Sequence, residues 1–456
     1  MKKEEALLNG KIGKTYISYL IPTIIGMLTN SVYCIVDVMF VGTCIGSEGL
    51  AAFNIAMPIF TIYSSIGLML GVGGATTISV LIGRGEKEQV DRVFTLTVCL
   101  SLGIGILMSV GGLIFLRPFA VALGAPPELV PDVMDYLFPL QCIAAVYIMN
   151  CTMQVVIRAD YNPKLVMAAA VVGNGMNILF DWIFVSVLDY GLIGASTATA
   201  LGPCTAVLIL SFHYILKKNT MHFKRRFWDV GFLKRILQNG LGTFILEFSS
   251  GAVVIMFNFV LLRVSGQDAV AVYAIVSNIA YVGKGIFNGI SQAAQPLISV
   301  NYGAARYERV QKSLRIAVIT AIGFAAACFI AILLFPAQIV GIFIGEDTGL
   351  LGMGVTASKI YFISFVFTGI NTVLMYYFQS VESMKVSTMI ALMRGVIFIV
   401  VGLLIFPFLF QEVGVWLTIT FAEVVTLAVT LPVKRRFDLL MRQKFNLQNQ
   451  PDTTHL

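Results

Sequence analysis

Ile78-Ser79-Val80-Leu81-Ile82-Gly83-Arg84-Gly85-Glu86-Lys87-Glu88-Gln89-Val90 decides the fold, because a second version of it follows 220 positions on. There the chain reads Ile298-Ser299-Val300-Asn301-Tyr302-Gly303-Ala304-Ala305-Arg306-Tyr307-Glu308-Arg309-Val310. Ile, Ser, Val, Gly, Glu and the final Val recur at matching places, and each version begins where a long apolar run gives way to charge. Such an echo marks two copies of one structural unit, of the parallel kind used by secondary transporters.

The flanking runs identify that unit. A helix that crosses a bilayer needs about 20 largely apolar residues. Reading for such runs between Gly, Pro and charge clusters gives spans at 16–41, 50–82, 93–116, 133–157, 164–187 and 194–216. Six more follow at 236–262, 269–300, 314–335, 354–380, 386–406 and 415–433. The expected fold is an all-α integral membrane protein of twelve transmembrane helices in two pseudo-symmetric six-helix bundles. The first run is too long for a signal-peptide core of ~7–15 residues and reads as a retained span.

Composition agrees. Charged residues make up 12% of the 456 positions and apolar residues 58%, which leaves too little charge to cover a soluble surface. Of the 31 Lys and Arg, 26 fall on the termini and alternate loops of one side, whereas the other side holds only Arg117 and Arg263. Cytoplasmic loops carry such an excess. Both termini are therefore expected in the cytoplasm of a bacterium, with the chain in its cytoplasmic (inner) membrane. The net charge of +7 is then an orientation signal, with no nucleic-acid partner implied. Seven cysteines lie scattered in apolar runs, which suits helix packing better than disulfides or zinc.

Residues 217–235 are the longest basic segment, and they divide the chain into an N-terminal lobe (1–216), a cytoplasmic linker (217–235), a C-terminal lobe (236–433) and a cytoplasmic tail (434–456). Phe227, Trp228 and Phe232 among its Lys and Arg suggest an interfacial helix.

Catalytic constellations are absent. His213, His222 and His455 have no partner at ligand spacing, and no phosphate loop exists, so neither a cofactor nor an ATPase subunit is expected. Four acids at membrane depth stand out: Asp37, Asp181, Glu247 and Glu423. Burying each costs at least ~2.5 kcal/mol near the bilayer centre. The second half also places Lys284 and Arg394 inside spans, so its acids form either ion pairs or a second cation site. The first half has no such bases, and unpaired carboxylates at depth hold protons or bind a cation. Asp37 and Asp181 lie roughly 32 and 25 Å along spans 1 and 5 from their cytoplasmic ends. Asn177 stands one turn before Asp181 on the same face. If spans 1 and 5 face each other, an oxygen-rich pocket results; otherwise these acids merely reach the outer headgroups. Pro22 interrupts span 1 and permits a bend.

Val36-Asp37-Val38-Met39-Phe40-Val41-Gly42 and Asn177-Ile178-Leu179-Phe180-Asp181-Trp182-Ile183-Phe184, followed by Gly191-Leu192-Ile193-Gly194-Ala195 and Ala198-Thr199, resemble the multidrug and toxic-compound extrusion (MATE) transporters, particularly their prokaryotic DinF-type branch. The likeness runs through all twelve spans. It implies that Asp37, Asn177, Asp181 and Thr199 bind the coupling H⁺ or Na⁺, with Na⁺ at Asp37, Asn177 and Asp181 as the metal expected. It also implies that Pro22 is a hinge and that Glu247 belongs to a second cation site. Span 10 lacks the Asp that accompanies that Glu, and Gly242 replaces a common proline. Tyr161 stands in a loop where relatives usually have Gly.

The resulting expectation is a monomeric antiporter, not an enzyme, that exports amphipathic or cationic drugs through the lipid bilayer by alternating access. A flippase for lipid-linked saccharides would line its cavity with several unpaired Arg or Lys. A membrane-embedded transferase would need catalytic groups, and a receptor or scaffold would leave dye accumulation unchanged.

Overall fold

A computed structural model describes residues 2–344 and 348–448, and among these no strand occurs. The spans are span 1 (Ile12–Ile45), span 2 (Glu48–Arg84), span 3 (Lys87–Ile114), span 5 (Pro163–Val187), span 6 (Gly191–Ile215) and span 9 (Tyr307–Leu334). Two bent pairs act as one span each: span 4 (Val130–Cys142 with Ala144–Ala159, 55°) and span 10 (Gly349–Phe362 with Ser364–Ser380, 41°). Two further helices, Val230–Gly303 and Met384–Gln443, are too long for one crossing of a ~30 Å core. Each contains one residue of left-handed backbone, Gly266 (φ 81°) and Gln411 (φ 50°). Divided there they give spans 7 and 8 and spans 11 and 12, so the described residues hold twelve crossings.

The duplication is written in the turns. Left-handed residues recur in pairs close to the 220-residue offset: Gly46 with Gly266, Gly85 with Ala305, Tyr161 with Glu382, and Asp189 with Gln411. Short helices after spans 3 and 9, Leu116–Ala122 and Pro336–Ile344, repeat the spacing and were not anticipated by the sequence. Tyr161 stands in its turn at φ 62°, a conformation that side chains disfavour and glycine adopts freely.

By its contacts the chain forms two compact units. One comprises Ser18–Ile78 and Lys87–Gly251, and so carries most of spans 1 to 6 and the first part of span 7. Its apolar centre packs Phe53, Tyr63, Tyr136, Leu140 and Ile148. The linker does not form the interfacial helix expected around Phe227 and Trp228; residues 218–229 are irregular. Side chains satisfy its backbone instead. Asp91 accepts from His222 N–H at 2.8 Å, Thr95 Oγ1 from Lys224 N–H at 3.0 Å, and Asp160 from Thr220 N–H at 3.0 Å. With those donors occupied, the segment has no need of helical bonds.

The other unit comprises Met1–Ile17, Ser79–Glu86 and Ala252–Leu456. Both copies of the opening repeat meet here. A Cβ on Gly83 would stand 2.1 Å from the Val300 carbonyl oxygen, and one on Gly303 2.1 Å from that of Val80. The approach is reciprocal and backbone to backbone, which only glycine permits. Where the second copy departs from the first, its side chains hold the helix Lys2–Asn9. Arg309 donates to Leu7 and Gly10 carbonyls at 3.0 and 2.9 Å, and Arg306 to Leu8 at 2.6 Å. Two cations thus cover the carbonyl end of a helix dipole.

Gly83→Ala and Gly303→Ala are each expected to lower stability by about 1–3 kcal/mol through forced backbone shifts. Gly103→Ala, whose Cβ meets nothing within 4 Å, is expected to leave it unchanged. Thermal unfolding of the detergent-purified protein checks both.

Candidate functional site

Four elements of the first unit converge in its interior. Span 1 brings Asp37, span 5 Asn177 and Asp181, span 6 Thr199, and the first segment of span 4 Tyr136. All five are buried, with exposures of 3% for Asp37 and 0% for Asp181, so neither acid reaches headgroup water. Helical spacing sets Asn177 one turn below Asp181, and the amide bridges two spans. Oriented to suit its neighbours, Asn177 donates to Asp181 Oδ2 at 3.2 Å and accepts from Thr199 N–H at 3.2 Å. Thr199 lies beside Asp37, and Tyr136 faces Asp37, Asp181 and Thr199.

Immediately beyond both acids the helices widen. Gly46 N–H bonds Val41 and Leu188 N–H bonds Ile183, each reaching back five residues. Such wide turns are rare and cluster at functional sites. Cys44 and Ser186, one from each wide turn, lie 3.5 Å apart, so spans 1 and 5 do face each other.

Hydrogen bonding is incomplete at the centre. Asp37 Oδ1, Asp181 Oδ1 and Tyr136 Oη are buried without a partner. No Lys or Arg pairs with either acid among the described residues. Five oxygen-bearing side chains with two carboxylates and no base make a site for a proton or a hard cation. A soft-metal centre is not suggested, since no three His, Cys, Asp or Glu gather among the described residues.

The second group of acids and bases includes an ion pair, one of the two alternatives its residues allow. Glu423 and Arg394 form a buried pair at 2.6 Å in the other unit. Asn371 Nδ2 donates to Glu423 Oε2 at 2.7 Å, and Arg394 Nη1 to Thr372 Oγ1 at 2.8 Å. Lys284 Nζ instead donates to Tyr361 Oη at 3.2 Å and has no acidic partner among the described residues. Glu247 belongs to the first unit and lies near Cys151 of span 4. Pro22 sits within an unbroken helix, Ile12–Phe40.

Tyr136 escaped the sequence reading because one hydroxyl among sixteen tyrosines carries no signal of depth. His213 also has partners that spacing could not disclose. Its Nε2 meets Asp160 Oδ2 at 2.7 Å and its Nδ1 meets Asn162 at 3.1 Å, both side chains arriving from the loop after span 4.

Comparison with known proteins gives a consistent result. The profile of the family described as MatE matches the chain twice, over residues 22–183 and 241–404. The multidrug export protein MepA of Staphylococcus saprophyticus is 24% identical over 439 residues, covering 95% of this chain and 96% of that protein. A crystal structure of MATE in complex with MaL6 superimposes with a TM-score of 0.92 at 25% identity, covering 97% of this chain and 100% of that one. An outward-facing multidrug resistance MATE family transporter gives 0.90 at 25% identity, covering 96% and 98%.

Arg394→Ala or Glu423→Ala alone is expected to cost about 3–5 kcal/mol by leaving a buried charge unpaired. Arg394→Met with Glu423→Leu should recover most of that loss. Thermal unfolding of the single and double variants distinguishes a structural pair from a loosely held one.

Proposed function

The chain belongs to the MatE family, and on that premise we propose that it is a multidrug efflux antiporter that exchanges amphipathic or cationic organic compounds for H⁺ or Na⁺ by alternating access. The relative MepA is named for multidrug export, which supports the substrate class. One observation carries the coupling reading: Asp37 and Asp181 are buried together, each with an unpartnered Oδ1 and neither with a base.

In this reading the outward-open protein takes up the ion at Asp37, Asp181, Asn177 and Thr199. The ion or proton supplies the partner that each Oδ1 lacks. Hydrogen bonds on span 1 are then redistributed, span 1 bends at Pro22, and the drug loses its cavity and departs. Return to the inward-open state releases the ion into the cytoplasm. The residues 1–216 and 236–433 serve as the two lobes, joined through 217–235, and both termini face the cytoplasm of a bacterial inner membrane. The chain works as a monomer and needs no cofactor. The saccharide-flippase reading wants several unpaired cations in the cavity, whereas Arg394 is neutralised by Glu423, which leaves Lys284, bonded to Tyr361 Oη, as a single candidate.

Ethidium efflux from proteoliposomes with pH or Na⁺ gradients imposed separately tests the proposal. The wild type should respond to at least one gradient. Asp37→Asn and Asp181→Asn should each fall to the rate of empty vesicles while still binding ethidium, and Tyr136→Phe should slow efflux less. Efflux under neither gradient, or full activity in both Asn variants, would overturn it.

A further inference from the structure

Outside the carboxylate cluster, the first unit carries a second polar group with an unmet bond. Gln141, in the first segment of span 4, is 1% exposed. Its Oε1 accepts from Tyr63 Oη at 2.5 Å, whereas its Nε2 has no acceptor. That amide forms part of the wall of a groove of about 220 Å³, otherwise lined by Ile59, Leu107, Met108, Gly111, Gly112, Phe115 and Phe119.

The groove opens to the lipid-facing surface, since Leu107 is 71% and Phe115 60% exposed. Gly112 makes room for the amide: a Cβ there would stand 2.0 Å from Gln141 Oε1 and 2.7 Å from Nε2. Depth follows from that contact. Gly112 lies two residues before the end of span 3 at Ile114, so Gln141 is level with the end of the span opposite its basic loop. That is the depth where acyl chains meet their ester groups. Arg117, exposed and between Phe115 and Phe119 in the short helix Leu116–Ala122, brings one of the two basic residues of that face to the rim.

We propose that this groove is a binding site for an anionic glycerophospholipid of the leaflet opposite the basic loops: an acyl chain fills the apolar channel, an ester carbonyl accepts from Gln141 Nε2, and the phosphate lies at Arg117. The volume decides against a drug, because drug-sized ligands occupy pockets of about 300–1,000 Å³. It holds the ester-proximal part of one acyl chain, whose remainder runs out along the open, lipid-facing side. The chemistry is also complementary, because a buried amide donor facing hydrocarbon gains its only available acceptor from the lipid itself.

The test uses the purified full-length protein, exchanged into equal parts of dioleoyl phosphatidylglycerol and its diether analogue, which lacks the carbonyls, then washed. Retained lipid is measured by mass spectrometry. The wild type should retain the diester over the diether by about threefold to tenfold, the worth of one hydrogen bond. Gln141→Leu should bring that ratio to unity. A Cβ at Gly111 meets nothing within 4 Å, and Gly111→Phe, confirmed as folded by an unchanged thermal unfolding temperature, should block retention of both lipids. Arg117→Ala should erase the preference for phosphatidylglycerol over phosphatidylcholine. An equal diester-to-diether ratio in the wild type, or retention unaffected by Gly111→Phe, would overturn the proposal. If Gln141→Leu proves unstable, the Gly111 and Arg117 variants decide alone.

Discussion

A peptide group in hydrocarbon finds no water, so each crossing must bond its own backbone or borrow a partner from the protein. That constraint orders the whole molecule. Left-handed residues end helices at the turns, at Gly46, Gly85, Tyr161 and Asp189 in the first half and at their counterparts Gly266, Ala305, Glu382 and Gln411 in the second. The irregular residues 218–229 are tolerated because Asp91, Thr95 and Asp160 occupy their donors. Within the spans, the widened turns Val41–Ile45 and Trp182–Val187 stand directly beyond the two unpaired carboxylates. Departure from regular helix thus falls where polar side chains congregate.

The two halves share a scaffold but not an electrostatic plan. In one unit, Arg394 and Glu423 neutralise each other, and Asn371 and Thr372 take up further bonds. In the other, Asp37 and Asp181 keep open lone pairs, and Asn177 is already committed to Asp181 and to the Thr199 backbone. Duplication supplies matching turns, and point differences in charge then give one interior a neutralised ion pair and the other two unpaired carboxylates.

Much of this was legible in the residues. The repeat at 78–90 and 298–310 revealed the duplication, because its matching Gly83 and Gly303 answer one steric demand. Charge asymmetry between loops counted the spans, since lipid forbids scattered charge. Asp37, Asn177 and Asp181 could be named because acids and amides are conspicuous in apolar runs, whereas Thr199 came only with the family resemblance. The same reasoning missed Tyr136 and the Asp160–His213 pair, whose roles depend on which helices meet. Of the two alternatives left open for Glu247, Lys284, Arg394 and Glu423, ion pairing holds for Arg394 and Glu423. Aromatic residues in the linker suggested a helix, but side-chain capping from span 3 and the loop after span 4 outweighed that local preference.

The unsatisfied oxygens bear on how binding and access are linked. Two carboxylates that share a dry site cannot both remain charged without a counter-ion. In the proposed mechanism, an ion or proton at Asp37 and Asp181 lets the site stay dry, and its loss leaves negative charge that only water can solvate. Release and hydration become one event, so the emptied site favours whichever conformation admits water. A conformational equilibrium shifts only as far as a ligand discriminates between its two states. Here discrimination needs no large contact surface, because the difference between a hydrated and a buried carboxylate is itself several kcal/mol. Pairing Asp37 with a fixed base would abolish that difference, so the proposed coupling requires a first-half interior whose carboxylates meet no Lys or Arg.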